Sequence, residues 1–168
     1  TLESAVQAAS ELLSGSLRQG GKLMFCGNGG SAADSQHLAA ELTGRLVHDR
    51  RPLAAMALST DTSALTCIAN DYAFDQVFAR QVRALGRPGD SLIAISTSGN
   101  SGNVIAAVQI AREIGVKTIG LLGRDGGQLR DLCDVSVVVP SSTTARIQEA
   151  HILLGHTLQP GDAIRAAL

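Results

Sequence analysis

Ser91-Leu92-Ile93-Ala94-Ile95-Ser96-Thr97-Ser98-Gly99-Asn100-Ser101 passes from an apolar run straight into a turn crowded with hydroxyls. Leu92 to Ile95 show no alternation of polar and apolar residues, so the run reads as a strand covered on both faces. Pro88-Gly89-Asp90 is a turn that opens it, and residues 101–114 carry a helical pattern stopped by Gly115. The same strand–loop–helix unit recurs on either side. Upstream, a helix over 2–19 ends at Gly20-Gly21. The strand Lys22 to Cys26 follows, then the loop Gly27-Asn28-Gly29-Gly30 and a helix with Ser31 as its N-cap, running to Leu42 or Thr43. Leu53 to Leu58 is a second strand. Thr60-Asp61-Thr62 caps a helix to Ala69, Asn70-Asp71-Tyr72 is a turn, and 75–85 is a helix. Downstream come strand 117–122, a short helix near 128–132, strand 135–139 ended by Pro140, and a helix over 144–158 broken by Pro160-Gly161. Strands and helices alternate throughout. The expectation is α/β, a three-layer α/β/α sandwich with a mostly parallel sheet, as a single domain over 1–168.

Composition narrows the function classes. Hydrophobic residues are 45% of the chain, enough for a substantial core, and the formal net charge of −1 supplies no basic field for nucleic acid. Aromatic residues are only 2%, so stacking platforms for bases are not expected either. No apolar run reaches the roughly 18 residues of a membrane span. Cys26, Cys67 and Cys133 are odd in number and widely spaced, which argues against a disulfide framework and for a reducing cytoplasm. Cys26 and Cys67 read as buried small hydrophobes. The chain opens at Thr1 without Met, and part of a leading helix is expected to precede it.

In open parallel sheets ligands bind beyond the carboxyl ends of the strands. The turn Ser96 to Ser101 brings four hydroxyls to the free N–H groups of a helix start, which can hold a phosphate without Lys or Arg. A plain serine-rich turn with Ser101 as N-cap is the competing reading. The loop Gly27 to Gly30 has neither G-x-G-x-x-G spacing nor a G-K-[ST] ending, so it is no nucleotide motif. His37 and Glu41 share a helix face four residues apart. They can ligate a metal, divide acid and base roles, or form an ordinary ion pair. Gln148 and His156 lie eight residues apart, ~12 Å along the last helix. They could flank an extended substrate, or meet at one metal if one came from a neighbouring subunit; a solvent-facing polar stripe is the alternative. His48 sits in a charged loop and reads as solvated.

Taken together, Cys26 to His37, Glu41-Leu42-Thr43-Gly44-Arg45, Ile68-Ala69-Asn70-Asp71, Ala94 to Ser101 and Arg146-Ile147-Gln148-Glu149-Ala150-His151 resemble the sedoheptulose 7-phosphate isomerases of the sugar-isomerase (SIS) family. The resemblance covers residues 1–158 and implies a flavodoxin-like SIS fold and a homotetramer with active sites at subunit interfaces. It implies conversion of D-sedoheptulose 7-phosphate to D-glycero-D-manno-heptose 7-phosphate. By motif, Ser31, Ser96, Thr97, Ser98 and Ser101 would hold the phosphate, while Asn28, Gly29, Gly30, Asn70 and Asp71 would line the sugar site, with Glu41 and Gln148 also facing substrate. His37, Glu41, Gln148 and His156 match zinc ligands, one ion per subunit, and Glu41 with His156 matches the proposed acid–base pair. Two features depart from the pattern. Ala145 stands where some relatives carry an acid, and Pro160-Gly161-Asp162 interrupts a helix that relatives usually continue. Two rivals share the family, a non-catalytic tetramer that binds the replication initiator and a phosphosugar-sensing module. The first is expected to lack the equivalents of Glu41 and His156, and the second to sit beside a helix-turn-helix domain.

Overall fold

The computed structural model describes residues 1–158. Among them, five strands form one parallel sheet in the order β2-β1-β3-β4-β5. They are β1 (Leu23–Cys26), β2 (Ala55–Ala57), β3 (Ser91–Ser96), β4 (Lys117–Gly123) and β5 (Val135–Val139). The helices are α1 (Leu2–Arg18), α2 (Gly30–Thr43), α3 (Thr62–Asp71), α4 (Ala79–Leu85), α5 (Gly102–Glu113), α6 (Leu129–Leu132) and α7 (Thr144–Leu158).

The register explains the layering. Phe25 pairs with Ile93, Ile93 with Ile119, and Leu121 with Val137. These side chains form one face of the sheet and pack on Leu13 and Leu17 of α1, Leu38 and Leu42 of α2, and Leu158 of α7. The alternate residues Met24, Cys26, Leu92, Ala94 and Leu122 form the other face, under Val82 of α4, Val104 and Val108 of α5 and Leu129 of α6. Period-two strands with both faces covered give the continuous apolar runs seen in the sequence.

The ends of the elements correct several expectations. The second strand is only Ala55–Ala57. Helix α2 starts two residues early, with Gly29 as its N-cap at φ 56°, a conformation glycine adopts without steric cost. Ser31 therefore falls inside the first turn, where it is buried, and does not cap it. Asp61 is the cap of α3, accepting from Ala64 N at 2.9 Å, and that helix runs on through Asn70 and Asp71, which are not a turn. The stretch 75–85 divides into a 3-10 turn at Phe74–Gln76 and α4. The division falls where Asp75 is held against Gly102. Cys67 is exposed on α3 rather than buried.

At the amino ends of β1 and β3 a buried lock fastens the sheet. The Asp90 carboxylate accepts from the backbone N–H of Lys22 (2.9 Å) and of Arg87 (2.8 Å) and pairs with the Lys22 ammonium. Burial alone would raise the Asp90 carboxyl. The Lys22 side chain and the two backbone donors outweigh it, so the group sits below its ordinary value. Asp134 is held in the same way at the start of β5, accepting from Thr118 N and Oγ1, both at 2.8 Å.

Candidate active site

The strand order reverses between β1 and β3, since the chain moves from β1 outward to β2 and then returns to add β3, β4 and β5 on the other side. This is the switch point at which doubly wound sheets open a crevice for ligand. The loops that leave it are Gly27 to Gly30 and Thr97 to Ser101. Ser96 and Ser101 place their Oγ atoms 3.0 Å apart, and Gly99 N donates to Ser96 Oγ at 3.1 Å. Ser101 occupies the N-cap position of α5, yet its side chain makes no cap hydrogen bond. Its hydroxyl turns toward Ser96, so the leading N–H groups of α5 open onto a hydroxyl-lined turn. The plain-cap alternative therefore does not describe Ser101. The turn is held tightly from outside. Gly99 has φ +66°, and a Cβ there would lie 1.8 Å from the Gly126 carbonyl oxygen. Asn100 Oδ1 accepts from Gln128 N at 3.1 Å, and Leu129 N donates to Gly99 O at 3.0 Å.

The two loops are tied to each other. Asn28 Nδ2 donates to Asn103 Oδ1 at 2.8 Å, and Asn103 Nδ2 donates back to Asn28 Oδ1 at 2.9 Å. Asn103 lies in the first turn of α5 and is buried, whereas Asn28 is exposed. The Gln148 amide lies directly over Gly30, where a Cβ would meet Nε2 at 2.1 Å. Asn70 and Asp71 sit at the exposed carboxyl end of α3. Their hydrogen bonds run to each other (2.8 Å) and to Cys67 Sγ (3.4 Å), not to the two loops. The Asn70 amide, and then the Cys67 thiol, hold the Asp71 carboxyl below its usual value.

Two turns along α2 from Gly30, three titrating side chains converge within one chain. Glu41 Oε1 lies 3.0 Å from His37 Nε2 and 3.4 Å from His156 Nε2, and the two imidazole nitrogens are 3.1 Å apart. The Arg50 guanidinium fixes the end of this helix by donating to the carbonyls of Glu41 (2.8 Å) and Leu42 (2.9 Å). The spacing suits a metal. Donors at the 2.0–2.1 Å bond lengths of tetrahedral zinc stand about 3.3 Å from one another, and these three span 3.0–3.4 Å. His37, Glu41 and His156 are thus a donor set that could hold an ion. Gln148 does not join them within the chain, because its amide lies beside Gly30, ~10 Å from His37 along α2.

Comparison with known proteins fits this arrangement. Residues 1–123 match the family described as SIS domain. Over 158 residues, 94% of this chain and 84% of the relative, the sequence is 59% identical to a phosphoheptose isomerase of Aliarcobacter butzleri. The chain belongs to the phosphoheptose isomerase family of SIS-domain proteins. The solved phosphoheptose isomerase GmhA from Neisseria gonorrhoeae superposes with a TM-score of 0.89 at 55% identity, covering 94% of this chain and 84% of that one. A phosphoheptose isomerase from Francisella tularensis also gives a TM-score of 0.89, at 40% identity, covering 92% of this chain and 83% of that one.

Within this phosphoheptose isomerase frame, three site features escape a reading of the sequence. Asn103 is one polar residue on an apolar helix, and only its place beside Asn28 gives it a role. Asp34 lies one turn before His37, and its Oδ2 is buried without a hydrogen-bond partner among the described residues. Burial raises the Asp34 carboxyl, and the nearby His37 partly counters it. His151 is fully buried on α7 rather than part of a solvent-facing stripe. Neither ring nitrogen has a hydrogen-bond partner among the described residues. Burial lowers its pKa.

Proposed function

We infer that this chain is a ketose–aldose isomerase that interconverts D-sedoheptulose 7-phosphate and D-glycero-D-manno-heptose 7-phosphate. The observation that carries the mechanism is the approach of Glu41 Oε1 to His156 Nε2, 3.4 Å across two helices, in a chain whose other loop presents an uncapped, hydroxyl-lined helix start. Ser96, Thr97, Ser98 and Ser101, with the leading N–H groups of α5, bind the phosphate. Ser31, buried at the start of α2, completes that end. Asn28, Gly29, Gly30, Asn70, Asp71 and Gln148 line the sugar. The distance from Gln148 to His156 is two turns of α7, a span suited to an extended seven-carbon substrate held at one end by its phosphate.

Isomerisation through an enediol removes a proton from C1 and returns one to C2, while the O1 proton is lost and O2 gains one. Glu41 takes the C1 proton and delivers it to C2. His156 passes the hydroxyl proton from O1 to O2. Zinc held by His37, Glu41 and His156 would polarise the substrate oxygens as a Lewis acid. Gln148 joins that set only if a neighbouring subunit supplies it, which accords with a homotetramer whose active sites lie at interfaces. Three free cysteines and the phosphorylated substrate support a cytoplasmic setting. Among the described residues no helix is long and apolar enough to cross a membrane.

Purified protein assayed with sedoheptulose 7-phosphate tests the reading. Formation of the heptose 7-phosphate is expected. No turnover with or without added zinc, together with capture of the replication initiator, would favour the non-catalytic relative.

A further inference from the structure

Helices α2 and α7 meet through two glycines, one on each. Gly30 of α2 receives the Gln148 side chain of α7, and Gly155 of α7 receives the Leu38 side chain of α2. Eight residues along α2 are matched by seven along α7, so the helices advance side by side in the same direction. The second contact lies beside the titrating cluster, because Leu38 follows His37 and Gly155 precedes His156. A Cβ at Gly155 would lie 2.6 Å from both Leu38 Cδ1 and Cδ2 and 3.1 Å from Cγ. Leu38 is 2% exposed. Leu38 and Gly155 both line an apolar cavity of about 20 Å³, together with Leu13, Phe25 and Leu158. That is space for about one water, far less than a displaced leucine needs.

We propose that Gly155 is a positioning residue, whose missing side chain sets the α2–α7 separation that brings His156 to His37 and Glu41. The geometry stands without the isomerase reading, and the claim for turnover rests on it. Two contacts of the cluster cross between the helices, His156 to His37 at 3.1 Å and to Glu41 at 3.4 Å, so a shift of the helix axes is passed directly to these distances. Packed interiors transmit such displacements rather than absorbing them. The Ser96–Ser101 turn belongs to β3 and α5, so its grip on phosphate is not expected to change.

The test is a graded series, Gly155→Ala, Gly155→Val and the double variant Gly155→Val with Leu38→Ala, in which the three carbons added at 155 are removed at 38. Zinc affinity is measured by competition with a chromophoric chelator, and kcat and KM with sedoheptulose 7-phosphate. Expected are a roughly tenfold fall in kcat for the alanine variant and about a hundredfold fall for valine, as for misplacement near 1 Å. KM should change less than threefold, zinc affinity should fall in parallel, and the double variant should recover both. A folded Gly155→Val protein with wild-type kcat and zinc affinity overturns the proposal, as does a double variant no better than the single one. Where valine prevents folding, the alanine variant and the double variant decide the question. If the wild type does not turn over the substrate, the isomerase reading fails while zinc affinity still reports the spacing. A crystal structure of Gly155→Ala with the His37–His156 separation unchanged from 3.1 Å would also refute it.

Discussion

Gly99→Ala strikes the point where the hydroxyl-lined 97–101 turn is pressed hardest against its surroundings. Two costs arise there. At φ +66° an L-residue pays about 1–2 kcal/mol that glycine does not. The added Cβ would also sit 1.8 Å from Gly126 O, against an ordinary contact of 3.4 Å, so one loop must move by 1.6 Å. Overpacking of this kind costs about 1–3 kcal/mol. The lower entropy of the unfolded alanine chain offsets roughly 0.4–1 kcal/mol. The net loss is about 1–5 kcal/mol, and each kcal/mol lowers Tm by about 2–4 °C in a domain of this size. Gly89→Ala is the matched control. It has φ +96°, nothing within 4 Å of its Cβ, and lies at the opposite end of β3. It carries only the conformational cost, a net of about 0–2 kcal/mol. Scanning calorimetry and steady-state kinetics on both variants separate strain from loop displacement. Gly99→Ala should melt below Gly89→Ala and lose about a hundredfold in kcat/KM, while Gly89→Ala keeps full activity. Equal melting temperatures with undiminished kcat/KM for Gly99→Ala would show that the 97–101 turn tolerates displacement, and the reasoning would be wrong.

Three further outcomes are expected. Glu41→Gln should lower kcat by about 10²–10⁴-fold with little change in KM, and turnover at the wild-type rate would remove Glu41 as the base. Dialysis against a chelator should abolish activity and added zinc restore it; activity that persists in metal-free protein, verified by elemental analysis, would leave the acid–base pair working alone. The lowered carboxyls of Asp90 and Asp134 contribute stability that is present above the ordinary aspartate value of about 3.9 and is lost as pH falls through their lower folded values. Asp90→Asn should therefore lose stability at neutral pH and show a shallower acid limb in urea titrations, and an unchanged limb would contradict the lock at Lys22.

The apolar runs made the sheet legible. Leu92 to Ile95 and Val135 to Val139 could be nothing but strands in a doubly covered layer, and both are found with their expected ends. Helix boundaries were less legible where backbone geometry outranked side-chain preference. Ser31 has the chemistry of a cap, but Gly29 alone fits the positive φ that starts α2. Asn70 and Asp71 have the chemistry of a turn, but the Asp61 cap and the apolar face of α3 carry the helix through them. Residues within one motif, such as Ser96 with Ser101 or His37 with Glu41, could be paired from spacing. The meeting of Glu41 with His156 could not, because 115 positions separate them and only the sheet order brings α2 beside α7. Gly155 carries no chemistry of its own, so sequence alone could not give it a part. Pro160-Gly161, expected to break the last helix, lies outside the described residues.

The reciprocal amide pair of Asn28 and Asn103 has one more consequence. Each side chain gives one N–H and accepts one, so the pair works only as amide against amide. An aspartate at either position would set two oxygens face to face and leave one of the two contacts repulsive. Among natural variants of this chain, positions 28 and 103 should therefore drift in concert or stay fixed together.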